Sequence, residues 1–146
     1  MNLHLLTHSL PRSIFAVSMF AVTMFAVPLA EAQTAALDGK VFVAETGVKG
    51  KSVKEKDDVI TFANGRFHSS SCDEWGYDKG AYKANSSGEE TTFEVETNSA
   101  KYGKLVWKGT VRGNEIEGTF MEYPKPWFFN SNPAPIEHWF KGRPKT

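Results

Sequence analysis

The sequence predicts an all-β protein, a single antiparallel up-and-down barrel of about eight strands. Short runs rich in β-branched and aromatic residues recur along residues 39–142, apolar and polar side chains alternate within them, and turn residues separate them. An open sheet of this size would leave two unpaired edges, and closing it into a barrel removes both. A two-sheet β-sandwich is the alternative architecture.

The chain begins with a predicted secretory signal peptide, residues 1–32. A basic residue precedes an apolar run at residues 14–30, and Pro28 lies just before the small residues Ala30 and Ala32. This pattern is typical of a signal segment that is cleaved after Ala32. A membrane anchor is the alternative, since the run is as long as the shortest spanning helices, which need roughly 17–25 residues. The proline and the small residues favour cleavage.

The remaining chain, residues 33–146, has a size that suits one domain with one core. We expect it to be secreted, periplasmic or extracellular, with no membrane span after the signal is removed. The formal net charge is +0 and the chain has no basic stripe, which argues against nucleic acid as a partner. Cys72 is the only cysteine, so no intrachain disulfide can form.

In the first half of the domain, residues 39–46 form a β-branched and aromatic run that predicts a strand. Residues 48–58 are polar and rich in lysine, and we interpret them as a loop. Residues 59–70 hold the most specific local signal, the pair Asn64-Gly65. This pair is typical of a type I′ turn between two antiparallel strands.

In the second half, residues 80–84 predict a short strand, residues 91–99 a clearly alternating strand, residues 104–123 a second hairpin and residues 135–142 the last strand. The glycines inside the hairpin indicate places where the backbone bends or is closely approached. The side chains that alternation places on a common face within each strand are Phe93, Val95 and Thr97, then Leu105, Trp107, Gly109 and Val111, then Ile116, Gly118 and Phe120.

The run WKGTVRGNEIEGTF at residues 107–120 and the closing run HWFKG at residues 138–142 resemble small calycin or lipocalin-like barrels of exported bacterial proteins. The segment RFHSSSCDEWGYDKGAY, residues 66–82, also resembles a recurrent feature of an uncharacterised exported bacterial family, F-x-S-x-x-C followed by Gly, an aromatic residue and Tyr. The chain lacks the Gly-x-Trp signature of the lipocalins proper. The resemblance implies a barrel that binds a small apolar molecule, and it implies no catalytic residues.

The segment around Cys72 contains residue types that could form a nucleophilic or metal site, namely His68, Asp73 and Glu74. A nucleophilic thiol needs a base, and a zinc site needs three or four ligands at characteristic spacings, to which His138 could add one. Residues four apart on a strand are about 13 Å apart, so His68 reaches the thiol only if the intervening serines turn sharply. We therefore expect Cys72 to pack as a small apolar group at the end of the third strand, with no enzymatic activity, metal or cofactor.

Residues 123–135 are rich in proline, which keeps them out of regular structure, and contain the consecutive aromatic residues Trp127, Phe128 and Phe129. Adjacent side chains cannot all point inward, so at least one should meet solvent, a ligand or a partner. Two interpretations remain open: a plug that closes one end of the barrel, and a lid or surface through which a protein partner could bind. Trp75 and Tyr77 are expected to fold over the barrel mouth.

We expect the protein to be a non-enzymatic binder of a small, partly apolar ligand in the barrel mouth, because eight-stranded barrels can hold one small ligand. The alternative is an envelope structural or protein-interaction module with a filled barrel and no ligand. His138 has a second interpretation as a hydrogen-bonded core residue, since it shares a face with Ile136 and Phe140. The predicted ligand contacts are Tyr82, Tyr123 and His138 for orientation and Trp107, Phe120, Trp127 and Phe140 for the apolar walls.

Overall fold

A computed structural model of the protein describes residues 35–146. The predicted signal peptide and its cleavage site lie outside the described residues. The alternative prediction, a membrane anchor in the same segment, lies outside them too. Between residues 35 and 146, no helix is both long enough and apolar enough to cross a membrane.

Eight strands follow one another around a closed antiparallel barrel, as predicted. Each strand pairs with the next, and the last returns to the first, with Phe42 opposite Pro144 and Val48 opposite His138. One continuous ladder therefore replaces the two facing sheets of a sandwich. The elements are β1 Val41–Val48, β2 Lys54–Ala63, β3 Arg66–Ser69, a 3₁₀ helix Ser70–Trp75, β4 Gly80–Ser87, β5 Glu90–Ser99, β6 Gly103–Arg112, β7 Glu115–Pro124 and β8 Ile136–Pro144.

The two ends of the barrel differ in their connections. The predicted turn at Asn64 and Gly65 has φ angles of 53° and 70°, which are the positive values that a type I′ hairpin requires. We call its end of the barrel the hairpin end, and the opposite end the loop end. The hairpin end carries the turns 64–65, 88–89 and 113–114, and the loop end carries the longer connections 49–53, 70–79, 100–102 and 125–135.

Alternating side chains fill the interior with aromatic rings, as the period-two pattern predicted. In β5, Phe93, Val95 and Thr97 are buried, whereas Glu94 and Glu96 between them are exposed. The buried apolar core is formed by Leu37, Phe42, Ala44, Ile60, Phe62, Phe67, Tyr82, Ala84, Phe93, Val95, Leu105, Trp107, Val111, Ile116, Phe120 and Phe140.

Residues that precede β1 close the hairpin end. Leu37 is fully buried and belongs to the core cluster. The Asp38 carboxylate accepts hydrogen bonds from the Gly65 amide, at 3.0 Å, and from the Tyr82 hydroxyl, at 2.8 Å. Gly39 N donates to the carbonyl of Phe62 at 2.8 Å. This end therefore has its polar groups paired and its apolar centre covered.

Two glycines opposite each other in β6 and β7 let aromatic rings pack directly on the backbone. Gly109 and Gly118 are cross-strand partners. A Cβ atom on Gly109 would lie 2.6 Å from the Phe93 ring, and one on Gly118 would lie 2.2 Å from the carbonyl oxygen of Lys108. The close approach requires the absence of a side chain at both positions.

Residues 54–58, interpreted as loop, belong to β2 and pair with β1 from Gly47 opposite Lys54. A register shift between Ala44 and Thr46, with Asp57 at a φ angle of 67°, interrupts the alternation there. A bulge of this kind leaves no regular pattern in the sequence, so the strand was not recognisable.

Cys72 does not lie at the end of the third strand, where the sequence analysis placed it. β3 ends at Ser69, and Cys72 lies in the 3₁₀ helix that follows. Gly76, with a φ angle of 67°, ends this helix in the left-handed conformation. Ordered helical backbone therefore replaces the last part of the predicted strand.

Candidate functional site

A polar pair lies above the aromatic interior at the loop end. His138 Nε2 lies 2.9 Å from Glu122 Oε2, and the two side chains are 17% and 30% exposed, respectively. The imidazole stacks on the ring of Phe120 with a centroid distance of 4.4 Å and an angle of 8°. This contact follows from the register, since Phe120 and His138 are cross-strand partners in β7 and β8.

The stack continues into the centre of the barrel. Phe120 stacks on Trp107 at 4.0 Å, and Trp107 contacts Phe140 at 5.6 Å. The indole N–H of Trp107 donates to Thr97 Oγ1 at 3.3 Å, so the buried polar atom is satisfied. Four of the predicted ligand contacts, namely Trp107, Phe120, His138 and Phe140, are therefore brought together.

Tyr77 adds a phenol to the same place. It is half-buried and packs against the core cluster. Burial raises the pKa of Tyr77 to about 12, and the negative charge of Glu122 contributes to the shift. The phenol is therefore a hydrogen-bond donor at neutral pH. We call Tyr77, Phe120, Glu122 and His138 the mouth site.

A buried carboxylate shapes the chain beside the mouth site. Asp58 is 2% exposed. It accepts hydrogen bonds from Ser69 Oγ at 2.8 Å, Ser70 Oγ at 3.2 Å and the Ser71 amide at 3.0 Å. The three serines thus bind the start of the 3₁₀ helix to β2 and satisfy the oxygens of the buried carboxyl group.

The serines do turn sharply, but the turn does not form a pair between Cys72 and His68. Cys72 packs against the core, whereas the neighbours of His68 in β3 face inward, so His68 faces outward. His68 Nε2 lies 2.7 Å from Asp73 Oδ1. Burial raises the pKa of the Cys72 thiol to about 11, which disfavours the nucleophilic thiolate at neutral pH. Within residues 35–146, no three His, Cys, Asp or Glu side chains are placed to hold a metal ion.

Three predicted ligand contacts lie away from the mouth site. Tyr82 is fully buried toward the hairpin end, where its hydroxyl is bonded to Asp38, and burial raises its pKa to about 12. Tyr123 is on the outer face, with Lys104 Nζ 5.5 Å from its ring centre. Trp127 is 60% exposed in the 125–135 connection. The polar groups that could orient a ligand at the mouth are therefore Tyr77, Glu122 and His138, without Tyr82 or Tyr123.

The aromatic side chains of the 125–135 connection do not plug the barrel, because Phe128 is 93% and Phe129 80% exposed. Trp75 is half-exposed and packs edge-on against Tyr102 at 5.1 Å, on the neighbouring connection. Of the two aromatic residues expected over the mouth, only Tyr77 contacts the core cluster.

Sequence reasoning missed Glu122, and it placed Tyr77 over the mouth without counting it among the ligand contacts. Glu122 lies two residues after Phe120 and in the same inward phase, so alternation alone contained the signal for a carboxylate inside the barrel. Tyr77 lies in an irregular connection, where no periodic pattern indicates the direction of a side chain.

A shallow depression of about 900 Å³ lies on the outer face of β4–β8. Its charged side chains pair across strands, with Lys108 Nζ 3.1 Å from Glu94 and Lys141 Nζ 3.9 Å from Glu117. Paired charges on an outward face are typical of a solvated surface. The mouth site remains the stronger candidate because its polar groups are half-buried over an aromatic floor.

Comparisons of the chain with protein-family models, with curated proteins and with solved structures found no match.

Proposed function

We propose that the protein is an exported, non-enzymatic binder of a small, partly apolar molecule at the loop end of the barrel. The observation that carries this proposal is the His138–Glu122 pair, half-buried and stacked on Phe120. A ligand would gain affinity by covering apolar surface and orientation by hydrogen bonding to the pair and to Tyr77. Up-and-down barrels of eight strands, such as the lipocalins, hold small ligands in this part of the fold.

Aromatic side chains inside the barrel limit how deeply a ligand could enter it. The rings of Trp107, Phe120 and Phe140 contact one another below His138. The ligand would therefore sit on top of this stack, at the mouth, with part of its surface toward solvent. A flat ring or a short acyl group with one polar end fits this arrangement better than a long chain that needs a deep channel.

The test is a titration of residues 33–146 with N-phenyl-1-naphthylamine, a small apolar amine whose fluorescence rises on burial. We expect saturable binding that weakens by up to about tenfold in His138→Gln, since a hydrogen bond is worth roughly 0.5–1.5 kcal/mol and the imidazole that stacks on Phe120 is also lost. His68→Gln is the matched control, because His68 also lies beside a carboxylate but faces outward. Absence of saturable binding, or equal binding by both variants, would overturn the proposal.

A second candidate is an envelope structural or interaction module that binds no small molecule. The observation that favours it is the unbroken contact of aromatic rings in the interior, where Phe62 touches Phe67, Tyr82 and Phe93 at 5.0–5.5 Å. Native mass spectrometry of protein purified from its own host distinguishes the two candidates. A co-purified small molecule supports the binder, and a clean mass in repeated preparations supports the module.

A further inference from the structure

A tight turn at the loop end presents three aromatic side chains to solvent. Trp127 and Asn130 exchange two backbone hydrogen bonds, of 3.0 and 2.9 Å, which close the turn. Phe128 and Phe129 are its two central residues and are 93% and 80% exposed. We call residues 127–130 the aromatic turn.

The conformation of the aromatic turn is preorganised by ring contacts and by flanking prolines. Its rings pack edge-on against one another, with 5.4 Å between Trp127 and Phe129 and 5.0 Å between Phe128 and Phe129. Prolines precede it at 124 and 126 and follow it at 133 and 135. Because proline fixes φ, little conformational entropy is lost when the turn is buried.

Tyr102 and two lysines lie next to the turn. Lys125 donates through its backbone N–H to Tyr102 O at 2.9 Å and through Nζ to Ala100 O at 2.7 Å. Lys101 Nζ lies 4.9 Å from the ring centre of Tyr102. The two connections involved, 100–102 and 125–135, contain lysines and no carboxylate side chain.

The acidic residues of the neighbouring connection are partly occupied. Asp73 lies 2.7 Å from His68 Nε2, and Asp78 accepts a hydrogen bond from the Asn98 amide at 2.7 Å. Glu74 lines a shallow depression together with Lys101. The lysines beside the aromatic turn, Lys101 and Lys125, therefore lie on connections other than the one that carries these carboxylates.

From this arrangement we infer that the aromatic turn docks the protein on an anionic lipid bilayer, with Phe128 and Phe129 at the acyl boundary and Lys101 and Lys125 at the headgroups. An exposed aromatic tip followed by amphipathic tyrosine and lysine side chains is the composition that favours the membrane interface. A projecting turn also enters a lipid surface without a matching cavity, which a protein partner would have to supply. The inference does not depend on the proposed ligand, because the turn and the mouth site share no residue.

The test is co-sedimentation of residues 33–146 with vesicles of phosphatidylglycerol and phosphatidylcholine, compared with pure phosphatidylcholine. The strand pairing and core contacts of the described residues lie within residues 37–145, so residues 33–146 include the eight strands of the barrel. We expect binding to the anionic vesicles that falls by at least about tenfold in the double variant Phe128→Ser and Phe129→Ser. Lys101→Gln with Lys125→Gln should weaken binding to anionic vesicles and remove its dependence on salt.

Val53→Ser is the matched control, since Val53 is 77% exposed at the same end but outside the turn, and it should leave vesicle binding unchanged. His138→Gln should bind vesicles as the parent chain does, and the turn variant should bind N-phenyl-1-naphthylamine as the parent chain does. The two assays therefore distinguish a failure of the membrane inference from a failure of the proposed function. Equal sedimentation of the turn variant and the parent chain would overturn the inference. So would the absence of vesicle binding together with capture of a protein by the parent chain but not by the turn variant.

Discussion

Cys72 and Tyr77 are two weak acids at the loop end, and both pack against the core cluster. Burial is the main cause that raises both pKa values, to about 11 for the thiol and about 12 for the phenol. Neither group carries charge at neutral pH, so both act there through packing and hydrogen bonding.

The alkylation rate of Cys72 should follow its raised pKa. With iodoacetamide, we expect the rate in the folded protein to rise with a midpoint near pH 11, compared with the ordinary value of 9.0 in urea. Since Cys72 is the only cysteine, labelling reports this thiol alone. A midpoint at or below pH 9 in the folded protein would show that the thiol is not desolvated.

The same shift predicts how stability changes with pH. The unfolded thiol ionises from pH 9 and the folded thiol only near pH 11, so the free energy of unfolding should fall over this interval, by about 2–3 kcal/mol. Urea unfolding at pH 8 and pH 11 measures the loss, and Cys72→Ala should remove this part of it while the tyrosine contributions remain. An unchanged pH dependence in that variant would contradict the assignment.

At the scale of strands, two opposed glycines set the packing of β6 against β7. Gly118→Ala should destabilise the protein at the upper end of the roughly 1–3 kcal/mol typical of overpacking, because the new Cβ would meet backbone rather than a flexible side chain. Thr119→Ser, on the exposed face of the same strand, is the control and should change stability little. Chemical unfolding of both variants measures the difference, and equal midpoints would show that the strands can separate without cost.

The strands were predictable where one residue in two is apolar and the turn residues are specific. The alternation in residues 91–99 and the Asn64-Gly65 pair placed β5 and the first hairpin within a few residues. Residues 54–58 were not predicted as a strand because the bulge at Asp57 breaks the alternation and because Asp58, an acidic residue, faces inward. Such a residue becomes recognisable only once its partners are known, and here they are serines more than ten residues away.

The candidate site was predictable in part for the same reason. His138 and Phe120 were identified because they lie in regular strands, where the phase of the alternation fixes the inward face. Tyr82 also faces inward, but its height along the barrel axis depends on the strand stagger, which a single sequence does not contain. The prediction therefore placed at the mouth a tyrosine that lies toward the other end.

At the scale of the whole molecule, the closure of the ladder brings the start of β1 and the end of β8 together. Lys145 N donates to the carbonyl of Val41 at 2.9 Å, so the C-terminus lies beside the start of β1 at the hairpin end. Every described strand has a neighbour on each side, so none is an outer strand of an open sheet, and the shortest seam joins β3 to β4 through two residue pairs.

A circular permutant should therefore fold. Joining residue 146 to residue 35 by a short Gly/Ser linker and opening the chain between Ser131 and Asn132 should leave the melting temperature within about 5 °C of the parent. Opening the chain between Thr110 and Val111, inside β6, is the matched control and should prevent cooperative unfolding. Circular dichroism during heating compares the two, and loss of structure in the first permutant would show that the original order of the strands is required.

The pairing of β1 with β8 also has a consequence for how the chain acquires its structure. Phe42 must pair with Pro144, so the first strand of the barrel must meet the last, and contacts of such large sequence separation slow folding. Hairpins between β1 and β7 can form before β8 is available. Until β8 pairs with both β1 and β7, however, the incomplete sheet has two unpaired strand edges. The last strand to be synthesised thus ends the period in which the newly made protein is most prone to aggregate.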